Sequence, residues 1–379
     1  MKILHIITSL SKGGAENHLA QLVELQSKQK KNEINIIYFR GDDYWSEILK
    51  KKKIKVERFS IEKNYDFISL FFQLIKIFFY IRKLKPKIVH AHLGLSEIMS
   101  VILKKFFRLK FKLVVTKHLD SFLFEGSRGQ NKFLSGIFLE RIIFKVSEQI
   151  IFISKNVRSY FLSEINVPSK KISVIYYGIS KNYFLKKKDV KNQKLIINKK
   201  KNEKYILNIA RHVPQKKIDL LIKSFTKYEK INKNTKLILV GKGKETQSLK
   251  ILAQKMNIYE KIYWIDYTEN IYELFKISDL FCLTSEYEGL GLVLLESFLA
   301  KVPIITMNRS AMKEVIKNNY SGLLLPANSS PKTLSKGISK ALHNKKFSKK
   351  IIKNGLVTLN GKFNPYKMLN LTTNIYNKK

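Results

Sequence analysis

Cysteine is almost missing from this sequence: Cys282 is its single instance. An intramolecular disulfide is therefore impossible, a cysteine-rich zinc site is excluded, and a reducing, cytoplasmic setting is expected. Acidic residues are also scarce. Asp and Glu number 29 against 72 Lys and Arg, a formal net charge of +43, which taken alone points to a polyanion such as nucleic acid or an acidic membrane surface. Lysine, however, greatly outnumbers arginine and is scattered in runs such as Lys50 to Lys53 and Lys199 to Lys201. That pattern reads as compositional drift, whereas nucleic-acid readers lean on arginine forks. Nucleic acid is disfavoured, and an anionic membrane surface remains the partner that the charge suggests. Long apolar runs are lacking too. Phe67 to Ile81 contains Gln73 and Lys76 and falls short of a bilayer span, so it reads as a core helix. The start, Met1 to Thr8, is broken by His5 and reads as a first strand, not a secretory segment.

At 379 residues and 45% hydrophobic content, the chain exceeds what one core organises, and two domains are expected. Short Ile/Val-rich runs alternate with segments of helical period, the pattern of βαβ units on a parallel sheet. Strands are expected near 2–8, 33–39, 54–59, 87–91, 111–117, 149–153 and 171–175, and again near 204–209, 235–240, 261–265, 279–283 and 303–306. Residues 186–203 are charge-dense, lack an apolar face and read as a linker. The expected division is 1–185, linker 186–203, 204–345, and C-terminal helices over 346–379 that pack back toward the first domain. Two α/β domains make a cleft, and open α/β sheets bind ligands beyond the carboxyl ends of their strands.

Three stretches at such strand ends carry chemistry. Ser9-Leu10-Ser11-Lys12-Gly13-Gly14-Ala15-Glu16 puts a glycine pair where a loop turns into a helix; backbone N–H groups there can approach an anion. The spacing is not G-x-G-x-x-G, so a plain tight turn is an equal reading. Arg211 and Lys216 follow the first strand of the second half, where two cations can clamp a diphosphate. Glu288, Gly289, Gly291, Leu292 and Glu296 straddle a loop and the helix after it. Glycines let the helix start approach a phosphate, and Glu296 and Glu288 are spaced to accept ribose and sugar hydroxyls; a buried helix with a charged start is the equal alternative. His90 and His92 share a strand face, but no carboxylate or cysteine completes a ligand set. They read as structural and no metal site is expected; His118, ending the next strand, is expected to face the cleft. Asp42-Asp43 reads as a turn and helix cap.

With these motifs the chain resembles family 4 of the retaining glycosyltransferases, over nearly its whole length. The markers are Gly13-Gly14-Ala15-Glu16, Pro86 to His92, Lys171 to Gly178, Arg211 with Lys216, Leu239 to Gly243, Asp279-Leu280-Phe281 and the Glu288/Glu296 pair. The resemblance implies a GT-B fold: two Rossmann-like, doubly wound parallel-sheet domains facing a cleft. It implies that Gly13 and Gly14 lie by the donor diphosphate, that Arg211 and Lys216 stabilise its charge, and that backbone amides near Gly291 and Leu292 complete the phosphate site. It also implies that Glu288 holds the transferred sugar, Glu296 the ribose, and His118 the sugar or reacting centre. Transfer is expected to be retaining and metal-independent, with a UDP- or GDP-sugar as substrate and no cofactor. The acceptor is expected to be a glycan or lipid-linked hydroxyl in surface polysaccharide or lipopolysaccharide synthesis. The basic, aromatic stretch Lys104 to Lys112 can rest against an anionic bilayer, giving a peripheral location at the inner face of the membrane.

The chain departs from the family's pattern at four places. Tyr177 stands where Asn is usual, Lys217 and Lys301 where Gly is common, and Arg309-Ser310 where a Gly-Gly is common. Two other readings compete. A non-catalytic polyanion or nucleic-acid binder predicts salt-sensitive binding of DNA or RNA. A nucleotide-sugar epimerase converts the donor with no acceptor present.

Overall fold

The computed structural model describes residues 1–61, 67–119, 121, 130–180, 197, 199–200, 202–268 and 270–378. Most of the expected linker 186–203 lies outside them. The chain divides into two units, Met1–Gly178 with Pro365–Lys379, and Ile179–Asn364.

The first unit is a seven-stranded sheet in the order β3-β2-β1-β4-β5-β6-β7, with all pairs parallel. Its strands are β1 (Lys2–Ser9), β2 (Glu33–Arg40), β3 (Lys55–Arg58), β4 (Ile88–His92), β5 (Lys112–Lys117), β6 (Gln149–Phe152) and β7 (Ile172–Val174). The second is a six-stranded parallel sheet in the order β10-β9-β8-β11-β12-β13. Its strands are β8 (Lys204–Ile209), β9 (Thr235–Val240), β10 (Ile262–Ile265), β11 (Leu280–Leu283), β12 (Ile304–Met307) and β13 (Leu323–Leu325). Helices cover both faces, so the central strands are buried throughout: Ile3, Leu4, Ile6 and Ile7 of β1 are fully enclosed, the reason these strands read as continuous apolar runs. In both sheets strand order reverses beside the first strand of the unit, the switch point where α/β sheets open to ligands.

The C-terminal segment divides. The helix Lys345–Lys362 stays with the second unit, and Pro365–Asn377 belongs to the first. The helix Phe67–Leu84 differs from the expected core helix. Leu74, Ile77 and Ile81, at helical spacing, are buried, while Phe71, Phe72 and Phe79 are exposed, because its aromatic residues surround more of the helix than one sheet face can cover.

Candidate active site

In the second unit the groups assemble at the carboxyl ends of β8 and β11, which are neighbours in the sheet. After β8 the chain passes Ala210, exposed Arg211 and buried His212 into a single 3-10 turn, Pro214–Lys216. A Cβ on Gly241, which has φ +140°, would meet the Ala210 carbonyl oxygen at 1.9 Å, and one on Gly243 would meet that of His212 at 2.3 Å. Only glycine lets the loop after β9 lie against the loop that carries Arg211. Lys216 is 8% exposed, and its ammonium donates to Glu288 Oε1 at 2.8 Å. The same carboxylate oxygen accepts from Ser285 Oγ at 2.7 Å. Two bonds knit the loops: Glu286 N donates to the Gln215 carbonyl at 2.7 Å, and the Gln215 side-chain Nε2 to the Tyr287 carbonyl at 2.7 Å.

Ser285 was not singled out in the sequence and Ser310 only as part of a departure, yet both hold Glu288. Ser310 Oγ donates to the Glu288 carbonyl at 2.8 Å, and Arg309 pairs with Glu286 at 2.9 Å. The Arg309-Ser310 departure therefore occupies a working position: its two side chains grip the loop that presents Glu288. Gly291, with φ +81°, caps the helix Leu292–Leu299, and Glu296 is buried one turn along. The amides at the helix start lack intrahelical partners and point toward the loop side, as at any helix N-terminus. The Arg211 side chain makes no hydrogen bond or ion pair among the described residues.

In the first unit, Gly13 caps the helix Gly14–Ser27 without a side-chain cap. A Cβ on Gly14 would meet nothing within 4 Å, whereas one on Gly13 would press on the Glu16 carboxylate. Glu16 accepts from Ser9 Oγ at 2.6 Å, and burial raises its pKa. His118 is 5% exposed, with both ring nitrogens engaged: Nε2 with His92 Nδ1 at 3.1 Å and Nδ1 with the Tyr177 hydroxyl at 2.6 Å. Burial drives the pKa of His118 well below the ordinary value. Tyr177, one of the family departures, stacks on His18 with ring centroids 4.2 Å apart.

The strand histidines His5, His90 and His92 belong to the same buried group. The register pairs His5 with His90 and His92 with Thr116, so period two puts His5, His90, His92, Thr116 and His118 on one sheet face. The helices Gly14–Ser27 and Pro365–Asn377 supply Gln26 and Tyr376 to that face. Nitrogens of His5, His90 and His92 lie within 4.8 Å of one another, a spacing that a metal can use. Each ring is already bonded to protein, His90 to Tyr376 and Thr116 at 2.7 Å each. No carboxylate of the described residues joins them to offset a buried divalent charge, so the geometry is that of satisfied imidazoles. Asp43 sits at the N-cap of the helix Tyr44–Lys51 but gives no side-chain cap bond. Its carboxylate pairs with Arg58 at 2.9 Å instead, while Asp42 accepts from Tyr44 N at 3.3 Å.

Comparison with known proteins matches both halves of the chain. The model of glycosyltransferase family 4 matches residues 12–183, and that of glycosyl transferases group 1 matches 189–357. Among curated proteins, the uncharacterized glycosyltransferase MJ1607 of Methanocaldococcus jannaschii is 27% identical over 60% of this chain and 59% of its own length. The O-antigen biosynthesis glycosyltransferase WclY of Escherichia coli is 27% identical over 81% of this chain and 80% of its own. Among solved structures, Anabaena Alr3699/HepE in complex with UDP-glucose superposes with a TM-score of 0.80 at 18% identity, covering 99% of this chain and 98% of that one. Likeness at that identity speaks for the GT-B fold.

Proposed function

We propose, given that this chain belongs to glycosyltransferase family 4, that it transfers a sugar from a nucleoside diphosphate to a glycan or lipid-linked hydroxyl, with retention and without a metal ion. The observation that carries the reading is the ion pair of Lys216 and Glu288, 72 residues apart in sequence, at the carboxyl ends of adjacent strands. A lysine held this way has its ammonium at a fixed point, and Arg211 adds a second cation whose side chain has no partner among the described residues. Charge grows on the diphosphate as the glycosidic bond breaks, and fixed cations in a partly dry site stabilise it there more than in the ground state. That is the work a divalent ion does in other transferases.

In this mechanism the acceptor oxygen bonds to the anomeric carbon on the face from which the diphosphate leaves, and the acceptor proton passes to a donor phosphate oxygen. Glu288 orients the sugar by accepting its hydroxyls, Glu296 accepts from the ribose, and the amides near Gly291 and Leu292 meet the phosphates. His118 is assigned to the sugar or reacting centre, and Tyr177 joins it there through the 2.6 Å bond between them, with Gly13 and Gly14 near the diphosphate. The role of WclY in O-antigen synthesis supports a surface glycan as product.

The acceptor's lipid would lie at an anionic membrane surface. No helix among the described residues is long and apolar enough to cross a membrane. Exposed Phe71, Phe72 and Phe79 on the helix Phe67–Leu84, with exposed Phe106, stand among exposed Lys76, Arg82, Lys83, Lys105, Arg108 and Lys110. Apolar rings with a cationic surround fit the interface of an anionic leaflet. The test of the transferase reading is thermal stabilisation by a panel of nucleotide sugars in EDTA, since a ligand of the native state raises its stability. One sugar nucleotide should stabilise selectively and lose its effect in Glu296→Ala. No shift across the panel, with tight binding of DNA or RNA instead, would replace this reading with the polyanion binder.

A further inference from the structure

Buried side chains of the first unit form one continuous file of hydrogen bonds. Tyr177 Oη meets His118 Nδ1 at 2.6 Å, His118 Nε2 meets His92 Nδ1 at 3.1 Å, and His92 Nε2 meets His5 Nδ1 at 3.2 Å. His5 Nε2 then meets Gln26 Oε1 at 2.8 Å. Beyond the amide, Gln26 Nε2 donates to Tyr376 Oη at 3.2 Å, the Tyr376 hydroxyl meets His90 Nδ1 at 2.7 Å, and His90 Nε2 meets Thr116 Oγ1 at 2.7 Å.

The direction of every proton follows from one residue. Burial lowers the pKa of all four histidines, that of His5 to about 4, so each ring has one N–H and one lone pair at neutral pH. The amide oxygen of Gln26 can only accept, so His5 donates through Nε2 and accepts at Nδ1. His92 must then donate through Nε2 and accept at Nδ1, and so must His118. Tyr177 is left to donate its proton to His118 Nδ1. On the other side the Gln26 N–H fills one Tyr376 lone pair, Tyr376 donates to His90 Nδ1, and His90 Nε2–H donates to Thr116. All four rings therefore carry the proton on Nε2. Turning the amide over reverses every bond together and moves all four protons to Nδ1. Along Gln26, His5, His92 and His118 any mixture sets two N–H groups or two lone pairs against each other, and at Tyr376 the other His90 tautomer leaves the hydroxyl proton without an acceptor, both costly in a buried place.

We propose that Gln26 is a positioning residue: its amide orientation fixes the tautomer of His118 and commits the Tyr177 proton inward, so that a ligand hydroxyl meeting Tyr177 must donate to it. The functional half rests on the assignment of His118 and Tyr177 to the reacting centre. The tautomer half does not, which separates the two in experiment.

The test is ¹⁵N NMR of the imidazoles in the full chain near neutral pH, without substrate. The expected result is one signal set for His5, His90, His92 and His118, each protonated at Nε2. Gln26→Leu should give His118 a second population protonated at Nδ1. Tyr177→Phe, which removes only the terminal donor, should leave all four rings as they were. A wild-type ring of the four protonated at Nδ1, an unchanged His118 in Gln26→Leu, or scrambling by Tyr177→Phe would each overturn the proposal. In turnover, Gln26→Leu should lower kcat roughly tenfold with the donor KM little changed, the pattern of an interaction used in the transition state. Wild-type kcat and KM in a variant whose tautomers have scrambled would also overturn it. A wild-type chain that turns over no nucleotide sugar would sink the transferase reading and leave the tautomer measurement to decide the role of Gln26.

Discussion

The two units share a parallel-sheet plan and treat charge in opposite ways. The first encloses five of the seven histidines and lowers the pKa of each by burial. It also encloses Lys117 between Glu97 and Glu140, all three at most 5% exposed. The second keeps its cations nearer solvent: Arg211 is exposed, and Lys216 is held by a carboxylate at the end of a strand. Polar groups shut inside a sheet layer must satisfy each other or unfold the layer. Those at strand ends can wait for a ligand. The first unit's polar core is thus expected to bear chiefly on stability, and the second unit's strand-end charges, in the proposed mechanism, on turnover.

Acid should separate the units most. A histidine whose folded pKa lies below its unfolded value keeps its stabilisation above pH 6.5 and loses it as pH falls, because the unfolded chain takes a proton that the native ring refuses. For His5 the window runs from 6.5 down to about 4. Each such ring contributes a slope of about 1.4 kcal/mol per pH unit, and five together roughly 7. Glu97 and Glu16, whose carboxyls are raised by burial, act in the other direction, but are two groups against five. In the second unit only His212 among the described histidines has a lowered value. Hydrogen exchange read peptide by peptide from pH 7 to 5 should show the first unit opening well before the second. Equal protection of both at pH 5 would erase the distinction.

Removing the buried cation is the next test. Lys117 donates to Glu140 at 2.7 Å and to Glu97, and Lys117→Met strands both carboxylates. A cost of about 3–5 kcal/mol in urea unfolding is expected. Arg211→Ala makes the complementary change, with turnover at saturating donor expected to fall about 10²- to 10³-fold. Its stability should stay within about 0.5 kcal/mol of wild type, as for an exposed side chain. A stability loss with unchanged turnover would assign Arg211 to the wrong class. Surface aromatics come after these in size. Phe79→Ser should weaken binding to anionic vesicles about tenfold, the worth of one ring partly buried in lipid, with no change on neutral vesicles at high salt.

Strand positions in both units were legible because these strands are buried on two faces and read as apolar runs between turn residues. The exception is β13, Leu323–Leu325, three residues between Gly322 and Pro326 that are too short to show a period. Lys216, Glu288 and Glu296 could be named because each lies at a fixed offset from a strand end. Their partners could not. Ser285 reaches Glu288 only through the fold of their shared loop, Ser310 reaches it from 22 residues away, and Tyr376 reaches His90 from 286 residues away. The file of histidines had a local signal, since His90 and His92 share a strand face. His5 was read only as a break in an apolar run, and the register that aligns it with His90 emerges on folding.

The smallest expected effect concerns three of the departures. Lys217, Lys301 and Ser310, which stand where the family commonly has glycine, have φ of +48°, +60° and +46°, the left-handed region that costs a side chain about 1–2 kcal/mol. At Lys301 the cause is visible. Val302 N donates to the Ser297 carbonyl and Lys301 N to that of Phe298, both at 3.1 Å, the paired bonds that close a helix at a left-handed residue. Nothing in that turn uses the lysine side chain, so Lys301→Gly should stabilise the second unit by about 0.5–1 kcal/mol after glycine's greater unfolded entropy is subtracted. Ser310→Gly relieves the same strain but gives up the 2.8 Å bond to the Glu288 carbonyl. It should therefore lower turnover where Lys301→Gly leaves it alone. Urea midpoints and kcat measured on both variants would show whether strain beside Glu288 is held there by the bond that Ser310 makes, and equal kcat in the two would show that it is not.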